Sequence, residues 1–420
     1  MKFKSTRGNA PELGLADALR QGLAPDGGLY VPAEMPVFAT GDADESAFQE
    51  IAKMAVAPFF EGDILEHQMA AIIDEAFDFP VPLVDLGHTT SLLELFHGPS
   101  AAFKDFGARF LASAMSRLET GSPDPLTILV ATSGDTGGAV AAAFWRKPNV
   151  NVVVLYPEGK VSARQAHQLG CWGDNITTFA VRGVFDDCQR LVKQAFADPG
   201  WNARFRLSSA NSINIGRLLP QMTYYAASSL WYQARHGVAP GFIIPSGNVG
   251  NATAAVWAKN MGFPVREIVF AANANRPLVS WLKSGKYEPT TTVATLANAM
   301  DVGAPSNMER LIHLYPTPPD WMRAVSIDDA RIQATIQAGE DKWGQTFCPH
   351  TACAMAARED LGGEHWIAVA TAHPAKFETV VEPLVGHEVA VPPALAELLA
   401  RPSNAKTIDA DLAQLSQHLA

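Results

Sequence analysis

The chain has 420 residues, of which 48% are hydrophobic and 18% charged, and its formal net charge is −11 at pH 7. This composition is typical of a folded globular protein and excludes a disordered or fibrous one, and the length predicts two or three packed units that can hold a cleft between them. Because the sequence has no block of Lys and Arg, we expect neither nucleic acid nor an anionic membrane as a partner.

The predicted location is the cytoplasm. The first residues, MKFKSTRGNAPELG, contain no apolar signal-peptide core, and the longest apolar run, GGAVAAAFW, is too short to span a membrane. The cysteines are few and scattered, as in compartments where thiols stay reduced: Cys171, Cys188, Cys348 and Cys353. The motif CPHTAC places His350 between two of them, but no second Cys/His cluster completes a zinc site. We therefore favour ordinary thiols and expect no metal.

The first 95 residues predict a small, mainly helical domain. DALRQGLAPDGGLYVP begins with a helical pattern and ends in a Pro-Asp-Gly-Gly turn, and ESAFQEIAKMAVAPFF has apolar residues at helical spacing. Neither segment contains residues that suggest a chemical reaction. We therefore expect the chemistry to lie further along the chain.

Beyond residue 120, short apolar strand-like runs alternate with helical patterns, which predicts βαβ units and largely parallel sheets. The runs are LTILVAT, NVVVLYP, ITTFAV, GFIIPSG, REIVFAAN and HWIAVATAHP. Loops at the carboxyl ends of parallel strands form the binding crevice. Three such loops are candidates for a site: ATSGDTGGAV, PSGNVGNATAA and ATAHPAKF. The last residues, from LAELL onwards, predict a helical tail.

A lysine lies beside an apolar helical face in the segment PSAAFKDFGARFLASAM. Phe103 and Phe106 belong to that face, and Ser100 is a candidate N-cap. One interpretation is that Lys104 extends its ammonium into water. The other is that apolar surroundings and a helix N-terminus lower its pKa, which leaves a free amine that forms an imine with an aldehyde cofactor.

The loop GNVGN has the residues of a phosphate site. It follows an apolar strand and opens a helix, so Gly247 and Gly250 would let backbone N–H groups converge on an anion at the helix N-terminus. It contains neither G-x-G-x-x-G nor G-K-[ST], so it is not a dinucleotide or nucleoside-triphosphate loop. A tight structural turn explains this pattern about equally well.

The loop TSGDTGG suits a small carboxylate. It combines the hydroxyl groups of Thr132, Ser133 and Thr136 with exposed backbone N–H groups. The alternative is an N-cap, in which Asp135 or Thr136 satisfies the first amides of the next helix. Two anion-binding loops together with one desolvated lysine are a rarer combination than any of these features alone.

Six segments carry a further signal: FHGPSAAFKDFGARF, ATSGDTGGAVAAAF, SANSINIGRLLPQ, PSGNVGNATAA, ANAMDVGAPSN and TAHPAKF. Together they resemble the threonine synthase family, fold-type-II pyridoxal-phosphate enzymes of the tryptophan synthase β-like superfamily. The resemblance runs from STRG and GLAPDGGLYVP to TAHPAKF, and only the tail lacks a matching motif. It implies an α/β fold of two open, largely parallel sheets flanked by helices, with the extra N-terminal helical domain. The implied units are residues 1–95, an N-terminal domain; 96–120 with 216–420, a large cofactor-binding domain; and 121–215, a small domain.

The resemblance also implies pyridoxal 5'-phosphate as the cofactor. Lys104 would hold it through an imine, and the Thr371 hydroxyl would face the pyridine nitrogen, where it moderates the electron sink. Asp135 would approach the edge of the ring. The residues implied for the cofactor phosphate are Gly247, Asn248, Gly250 and Asn251.

The implied reaction is the last step of threonine biosynthesis, the conversion of O-phospho-L-homoserine and water into L-threonine and phosphate. The Lys104 amine would carry out its proton transfers. The residues implied for the substrate are Ser133, Gly134 and Thr136 for the carboxylate and Asn211, Ser212 and Arg217 for the phosphate. Lys160 and Arg164 are further candidates that a solvated helix start explains equally well. His97, Asp105 and His350 receive no role, and His373 is expected to be structural.

Two alternatives to this function remain. A serine/threonine dehydratase or a sulfhydrylase of the same fold would use the same lysine and glycine loop, but Arg217 would then lack an anion. A non-catalytic homologue that binds a phosphorylated amino acid would not need the lysine. The sequence does not distinguish a monomer from a homodimer.

Overall fold

The computed structural model describes residues 1–38, 46–87, 89–132 and 134–419. The N-terminal part contains an antiparallel strand pair and three helices: β1 (Phe3–Ser5), α1 (Leu15–Gln21), β2 (Tyr30–Pro32), α2 (Phe48–Phe60) and α3 (Met69–Ala76). On α2 the residues Ile51, Ala55 and Phe59 are buried at helical spacing, so this face packs into the core. The mainly helical character predicted for this part is confirmed.

The middle of the chain alternates strands and helices. Its elements are β3 (Leu83–Asp85), β4 (Thr90–Glu94), α4 (Lys104–Leu118), β5 (Leu126–Ala131), α5 (Asp135–Phe144), β6 (Val150–Pro157), α6 (Ala163–Gly170), β7 (Ile176–Arg182), α7 (Phe185–Ala197), α8 (Pro199–Phe205) and β8 (Leu207–Ser208). Strands β5 and β6 are buried along almost their whole length, because helices cover both faces of a parallel sheet.

The same alternation continues in the second half. Its elements are α9 (Ile215–Leu218), α10 (Met222–His236), β9 (Gly241–Pro245), α11 (Gly250–Asn260), β10 (Ile268–Ala272), α12 (Pro277–Ser284), α13 (Met308–Leu314), β11 (Met322–Ser326), α14 (Asp329–Gln337), α15 (Gly339–Trp343), α16 (Pro349–Asp360), β12 (Trp366–Ala370), α17 (Glu378–Val385), α18 (Pro393–Leu399), β13 (Lys406–Asp409) and α19 (Leu412–His418). Short 3₁₀ turns span Glu66–Gln68, Leu219–Gln221, Asn298–Met300 and Pro374–Phe377. Within the described ranges, no helix is both long and apolar enough for a membrane span.

Two sheets organise the molecule, one of six strands in the order β11-β10-β9-β12-β4-β3 and one of five in the order β13-β7-β6-β5-β8. All neighbours in them pair parallel except β3 with β4. The predicted α/β fold with two largely parallel sheets is confirmed. Because β9, β12 and β4 are adjacent and parallel, the loops at their carboxyl ends lie side by side.

Two segments differ from the predicted domain ranges. Strands β3 and β4 belong to the six-stranded sheet, although we predicted a boundary after residue 95. Strand β13 joins the edge of the five-stranded sheet, with Ile408 opposite Val181, although the range 216–420 was assigned to the large domain. The four residues of β13 bury one apolar side chain, which is too weak a pattern to predict a strand. The remaining ranges stay a prediction.

Helix α4, which begins at the candidate lysine, packs against helices from several parts of the chain. It packs against α3, α5 and α9, and its side chain Phe106 is fully buried. The ring of Phe106 contacts those of Phe48, Phe79 and Tyr224 edge-on, with centroids 4.9–5.9 Å apart. This aromatic packing fixes the first turn of the helix, which begins at Lys104.

Candidate active site

The loop before α4 is held against the end of β12. The backbone N–H of Phe103 donates to the carbonyl of Thr371 at 2.8 Å, and that of His373 donates to the carbonyl of Ala101 at 3.0 Å. These bonds form a short antiparallel bridge between the loop and the residues that follow β12. They place the residue before Lys104 against the backbone of Thr371.

Burial dominates the electrostatics of Lys104. Its side chain is half-buried, with Nζ 4.8 Å from the ring centroid of Phe103, and among the described residues its ammonium has neither a hydrogen bond nor an ion pair. Burial lowers the pKa of Lys104 to about 8; Asp135 opposes this shift, and the cations Arg217 and Lys376 add to it. At pH 7.5 roughly a quarter of such an amine is neutral, against roughly one part in a thousand for an ordinary lysine.

The loop before α11 presents a run of free backbone donors. The N–H groups of residues 247–252 have no hydrogen-bond partner among the described residues. Val249 adopts a left-handed φ of 65°, which a β-branched residue rarely does. A Cβ on Gly247 would lie 2.5 Å from the Cα of Met300, so only glycine fits. Converging free N–H groups at a helix N-terminus form an anion site.

Asn251 adds a side-chain donor to this loop. Its Oδ1 accepts hydrogen bonds from the hydroxyl groups of Tyr224 and Tyr225, and its buried Nδ2 has no partner in the described structure. The two tyrosines thus orient the amide with its nitrogen free. An unpartnered buried donor beside free N–H groups fits a phosphate ester, the group that pyridoxal phosphate carries.

Hydrogen bonds inside the loop before α5 fix its conformation. The hydroxyl of Thr132 accepts from the N–H groups of Gly134 at 3.0 Å and Gly137 at 2.9 Å, so it supports the turn and is not the ligand-binding hydroxyl that we predicted. The N–H groups of Asp135 and Thr136 have no partner in the described part of the chain. The predicted residue Ser133 lies outside the described residues.

Asp135 is a buried carboxylate with two donors on one oxygen. Its Oδ1 accepts from Lys376 Nζ at 2.9 Å and from Gln165 Nε2 at 3.2 Å. Burial alone would raise the pKa of Asp135, but the ammonium groups of Lys376 and Lys104 outweigh burial and hold it well below its usual range. The group is therefore ionised at neutral pH.

Arg217 is a buried cation that packs against Gly107, which lies one turn along α4 from Lys104. It is 2% exposed, its Nη1 donates to the carbonyl of Ala210, and its Nε has no partner in the described structure. Burial lowers the pKa of Arg217 to about 10, which Asp105 opposes. The close packing of α9 on α4 depends on Gly107, because a Cβ there would lie 2.6 Å from the Arg217 carbonyl oxygen.

The loop of Arg217 is tied to the loop before α11. The side chain of Asn248 donates from Nδ2 to the hydroxyl of Ser212, and its Oδ1 accepts from the Ser306 N–H at 2.7 Å. The Asn248 side-chain amide therefore joins two loops, and its backbone N–H is left for an anion. Asn211, which precedes Ser212, is half-buried.

Two buried cations at the site were missed by the sequence analysis. Lys376 forms the buried ion pair with Asp135. Arg310, which is fully buried, donates to the carbonyls of Tyr30, Ser212 and Ile213 at 2.6–3.2 Å. Burial lowers the pKa of Arg310 to about 9, which Glu309 opposes. The motifs GAPSN and TAHPAKF were recognised, but neither of these cations was singled out.

Two predictions about the loop before α4 need correction. Ser100 is not the N-cap: α4 begins at Lys104 with Phe103 at the cap, and Ser100 instead donates its N–H to Oδ2 of Asp105 at 2.8 Å. Burial raises the pKa of Asp105 to about 6, and the hydrogen bonds from Ser100 oppose this shift. Asp105 therefore stabilises the loop beneath the lysine.

The remaining candidates lie around the turn at 374–377. Arg164 donates to the carbonyl of Ala375 at 2.5 Å and so braces that turn, while Lys160 is exposed. His373 accepts from the Ala375 N–H at 3.2 Å, consistent with its expected structural role. Burial lowers the pKa of His350 to about 4, so it is neutral at pH 7 beside Asp135 and Lys104.

Three family models match the chain. Residues 83–371 match the model described as pyridoxal-phosphate dependent enzyme, and residues 2–77 match that of the threonine synthase N terminus. Residues 351–419 match the threonine synthase C-terminal model. The tail, in which we found no family motif, is thus covered as well.

Relatives match over their whole length. The chain is 39% identical to threonine synthase of Serratia marcescens, covering 100% of this chain and 99% of that protein, and 40% identical to that of Haemophilus influenzae, covering 96% of both. Among solved structures, threonine synthase from Escherichia coli matches with a TM-score of 0.90 at 38% identity, covering 100% of this chain and 99% of the other. The structure of PLP-bound threonine synthase from Brucella melitensis matches at 0.93 and 34%, covering 100% and 98%.

Proposed function

The chain belongs to the threonine synthase family, and from that premise we propose how its own residues serve the reaction. The protein is a pyridoxal-phosphate-dependent enzyme that converts O-phospho-L-homoserine and water into L-threonine and phosphate. When bound, the cofactor draws electrons from the bonds at the substrate α-carbon. One observation carries the assignment: Lys104, half-buried and without a partner among the described residues, lies at the sheet edge where residues 247–252 present free N–H groups.

Lys104 would attach the cofactor through Nζ. The free N–H groups from Gly247 to 252 and the Nδ2 of Asn251 would hold its phosphate, while the Thr371 hydroxyl, which has no partner in the described structure, would donate to or accept from the ring nitrogen. Asp135 has Oδ2 left for the polar edge of the ring. The buried donors and the second oxygen of the ionised carboxylate support this placement, because each lacks a partner among the described residues.

The substrate would lie between two sets of donors. The free N–H groups of Asp135 and Thr136 suit a carboxylate at the start of α5. The family resemblance assigns Ser133 and Gly134 to the same carboxylate. Ser212 and the unpartnered Nε of buried Arg217 suit a phosphate, and Asn211 lies beside them. A buried guanidinium whose Nε is unsatisfied gains a strong charge-assisted hydrogen bond when a phosphate arrives. This argues for a phosphorylated substrate over that of a dehydratase.

Lys104 would also move the protons. While its amine is not attached to the cofactor, a pKa of about 8 would let it both accept and release a proton near neutral pH. His350 is neutral there and remains bonded to the Ala299 N–H at 3.1 Å, so we propose no acid–base role for it. We further propose a cytoplasmic location, because all four cysteines are free thiols.

The function is tested by supplying the purified protein with pyridoxal phosphate and O-phosphohomoserine and measuring phosphate and threonine. Wild type should release both in equal amounts. Lys104→Ala should release neither, whereas Lys160→Ala, which changes an exposed lysine, should behave as wild type. Turnover of serine or threonine to a keto acid without phosphate release from O-phosphohomoserine would contradict the proposal.

A further inference from the structure

Lys376 and Asp135 form a buried ion pair at the edge of the site. Their side chains are 1% and 4% exposed, with Nζ 2.9 Å from Oδ1. Lys376 lies in the turn after β12 of the six-stranded sheet, and Asp135 opens α5 beside the five-stranded sheet. Removing two charges from water is costly, and a buried pair seldom stabilises a fold more than apolar residues would. Stability alone does not explain this pair.

Lys376 also contacts the loop that carries the candidate catalytic amine. Its Nζ donates to the Ser100 carbonyl at 2.6 Å, and the N–H of the same Ser100 donates to Asp105 at 2.8 Å. Asp105 directly follows Lys104. One ammonium thus joins the start of α5 to the loop before α4.

The pair leaves Asp135 with one oxygen for a ligand. Lys376 and Gln165 both donate to Oδ1, while Oδ2 has no partner in the described part of the chain. The carboxylate cannot rotate without losing both bonds. Its free oxygen is therefore held in one direction, as preorganised sites require.

We propose that Lys376 is a positioning residue for the threonine-forming reaction: its ammonium holds Oδ1 of Asp135, directs the second oxygen toward the bound ligand, and ties α5 to the loop of Lys104. The inference rests on the proposed role of Lys104. Lys376 acts through Asp135 and does not itself touch the substrate.

Several titratable groups face this pair or the neighbouring amine: Lys104 and Asp105 on α4, Arg217 on α9, His350 on α16, and His373 just before the 374–377 turn. Lys376 disfavours the ammonium form of Lys104, and Asp135 favours it. Without Lys376, one of the two cations that disfavour the Lys104 ammonium is lost, while Asp135 continues to favour it. The pKa of Lys104 would therefore rise.

The first test measures that amine directly. Full-length protein without added cofactor is treated with an acylating reagent at a series of pH values, and labelling of the Lys104 peptide is followed by mass spectrometry. In Lys376→Met the pH at which labelling of Lys104 is half-maximal should rise by about one pH unit or more. Lys147→Met is the matched control, because Lys147 forms an ion pair with Glu75 that is partly exposed, and its midpoint should equal that of wild type.

The second test separates positioning from support of the fold. Lys376→Met should lower kcat by roughly tenfold or more with KM within about threefold of wild type. In the Asp135→Asn background, the same change should alter kcat by less than about threefold, because the residue through which Lys376 acts is already neutral. The double variant lacks both charges of this ion pair, so its kcat can be compared with that of Asp135→Asn even where Lys376→Met alone fails to fold.

An unchanged labelling midpoint in Lys376→Met, or losses of kcat that multiply in the double variant, would overturn the inference. Phosphate release by wild type is measured alongside. If wild type releases no phosphate while the midpoint shifts, the proposed function fails and the coupling of Lys376 to Lys104 stands.

Discussion

Replacing Gly247 with alanine tests whether the loop before α11 binds the cofactor phosphate. The added Cβ would lie 2.5 Å from the Cα of Met300 and 3.1 Å from its carbonyl carbon. Carbon atoms in contact are separated by roughly 3.5–4.0 Å, so the overlap is about 1 Å, and it is with backbone, which cannot rotate away. Either the loop or the turn at 298–300 must move.

Two costs determine how much the Gly247→Ala change should weaken cofactor binding. Overpacking of this kind costs about 1–3 kcal/mol. A loop that moves by about 1 Å also misaligns the N–H groups, and a hydrogen bond to a charged group contributes about 1.5–3 kcal/mol. Loss of one such bond weakens binding by roughly 10- to 150-fold. We expect that loss in the affinity of Gly247→Ala for pyridoxal phosphate.

The assay is a titration with pyridoxal phosphate followed by near-visible absorption. Gly173→Ala is the matched control, because a Cβ there would meet no atom within 4 Å, and it should bind as wild type does. Thermal unfolding checks that both variants fold. Wild-type affinity in folded Gly247→Ala would refute the assignment of this loop to the phosphate.

Three further predictions follow from the buried charges. Arg217→Lys keeps the charge but loses the planar guanidinium, so KM for O-phosphohomoserine should rise roughly tenfold or more. The affinity for pyridoxal phosphate, measured by absorption, should stay unchanged. An unchanged KM would argue against a contact between Arg217 and the substrate. Because burial lowers the pKa of Lys104 to about 8, its neutral amine is lost below that pH. The rate of cofactor attachment, measured by stopped-flow absorption, should therefore rise with pH and level off above about pH 9. A rate that still rises at pH 10 would contradict the lowered pKa. Glu119→Gln removes the buried carboxylate that Arg20 and Arg206 share. It should lower the free energy of unfolding, measured in urea, by about 1–3 kcal/mol without changing kcat. Unaltered stability would show that solvent screens these two ion pairs.

The sequence was informative where function depends on short segments. Lys104 lies beside the ring of Phe103 and the buried Phe106, and the glycines of GNVGN open a helix, so local spacing was enough to predict both features. The alternation of apolar runs was likewise enough for the two sheets. These patterns depend on neighbours a few residues apart.

The parts that were missed depend on contacts between distant segments. Lys376 acts on Ser100, 276 residues earlier in the chain, and Arg310 acts on Tyr30, 280 residues earlier. No local pattern reveals such a pair. The Thr132 hydroxyl is a local case: it accepts from the N–H groups of Gly134 and Gly137, and the same sequence pattern suits a hydroxyl that binds a ligand.

The central claim is that Lys104 is the amine that holds the cofactor. The most direct measurement is to incubate the full-length protein with pyridoxal phosphate, reduce it with borohydride, and identify the modified peptide by mass spectrometry. The account predicts one modified residue, Lys104, with the near-visible band lost on reduction. Modification of the neighbouring Lys376 instead, or of exposed lysines without preference, would contradict it.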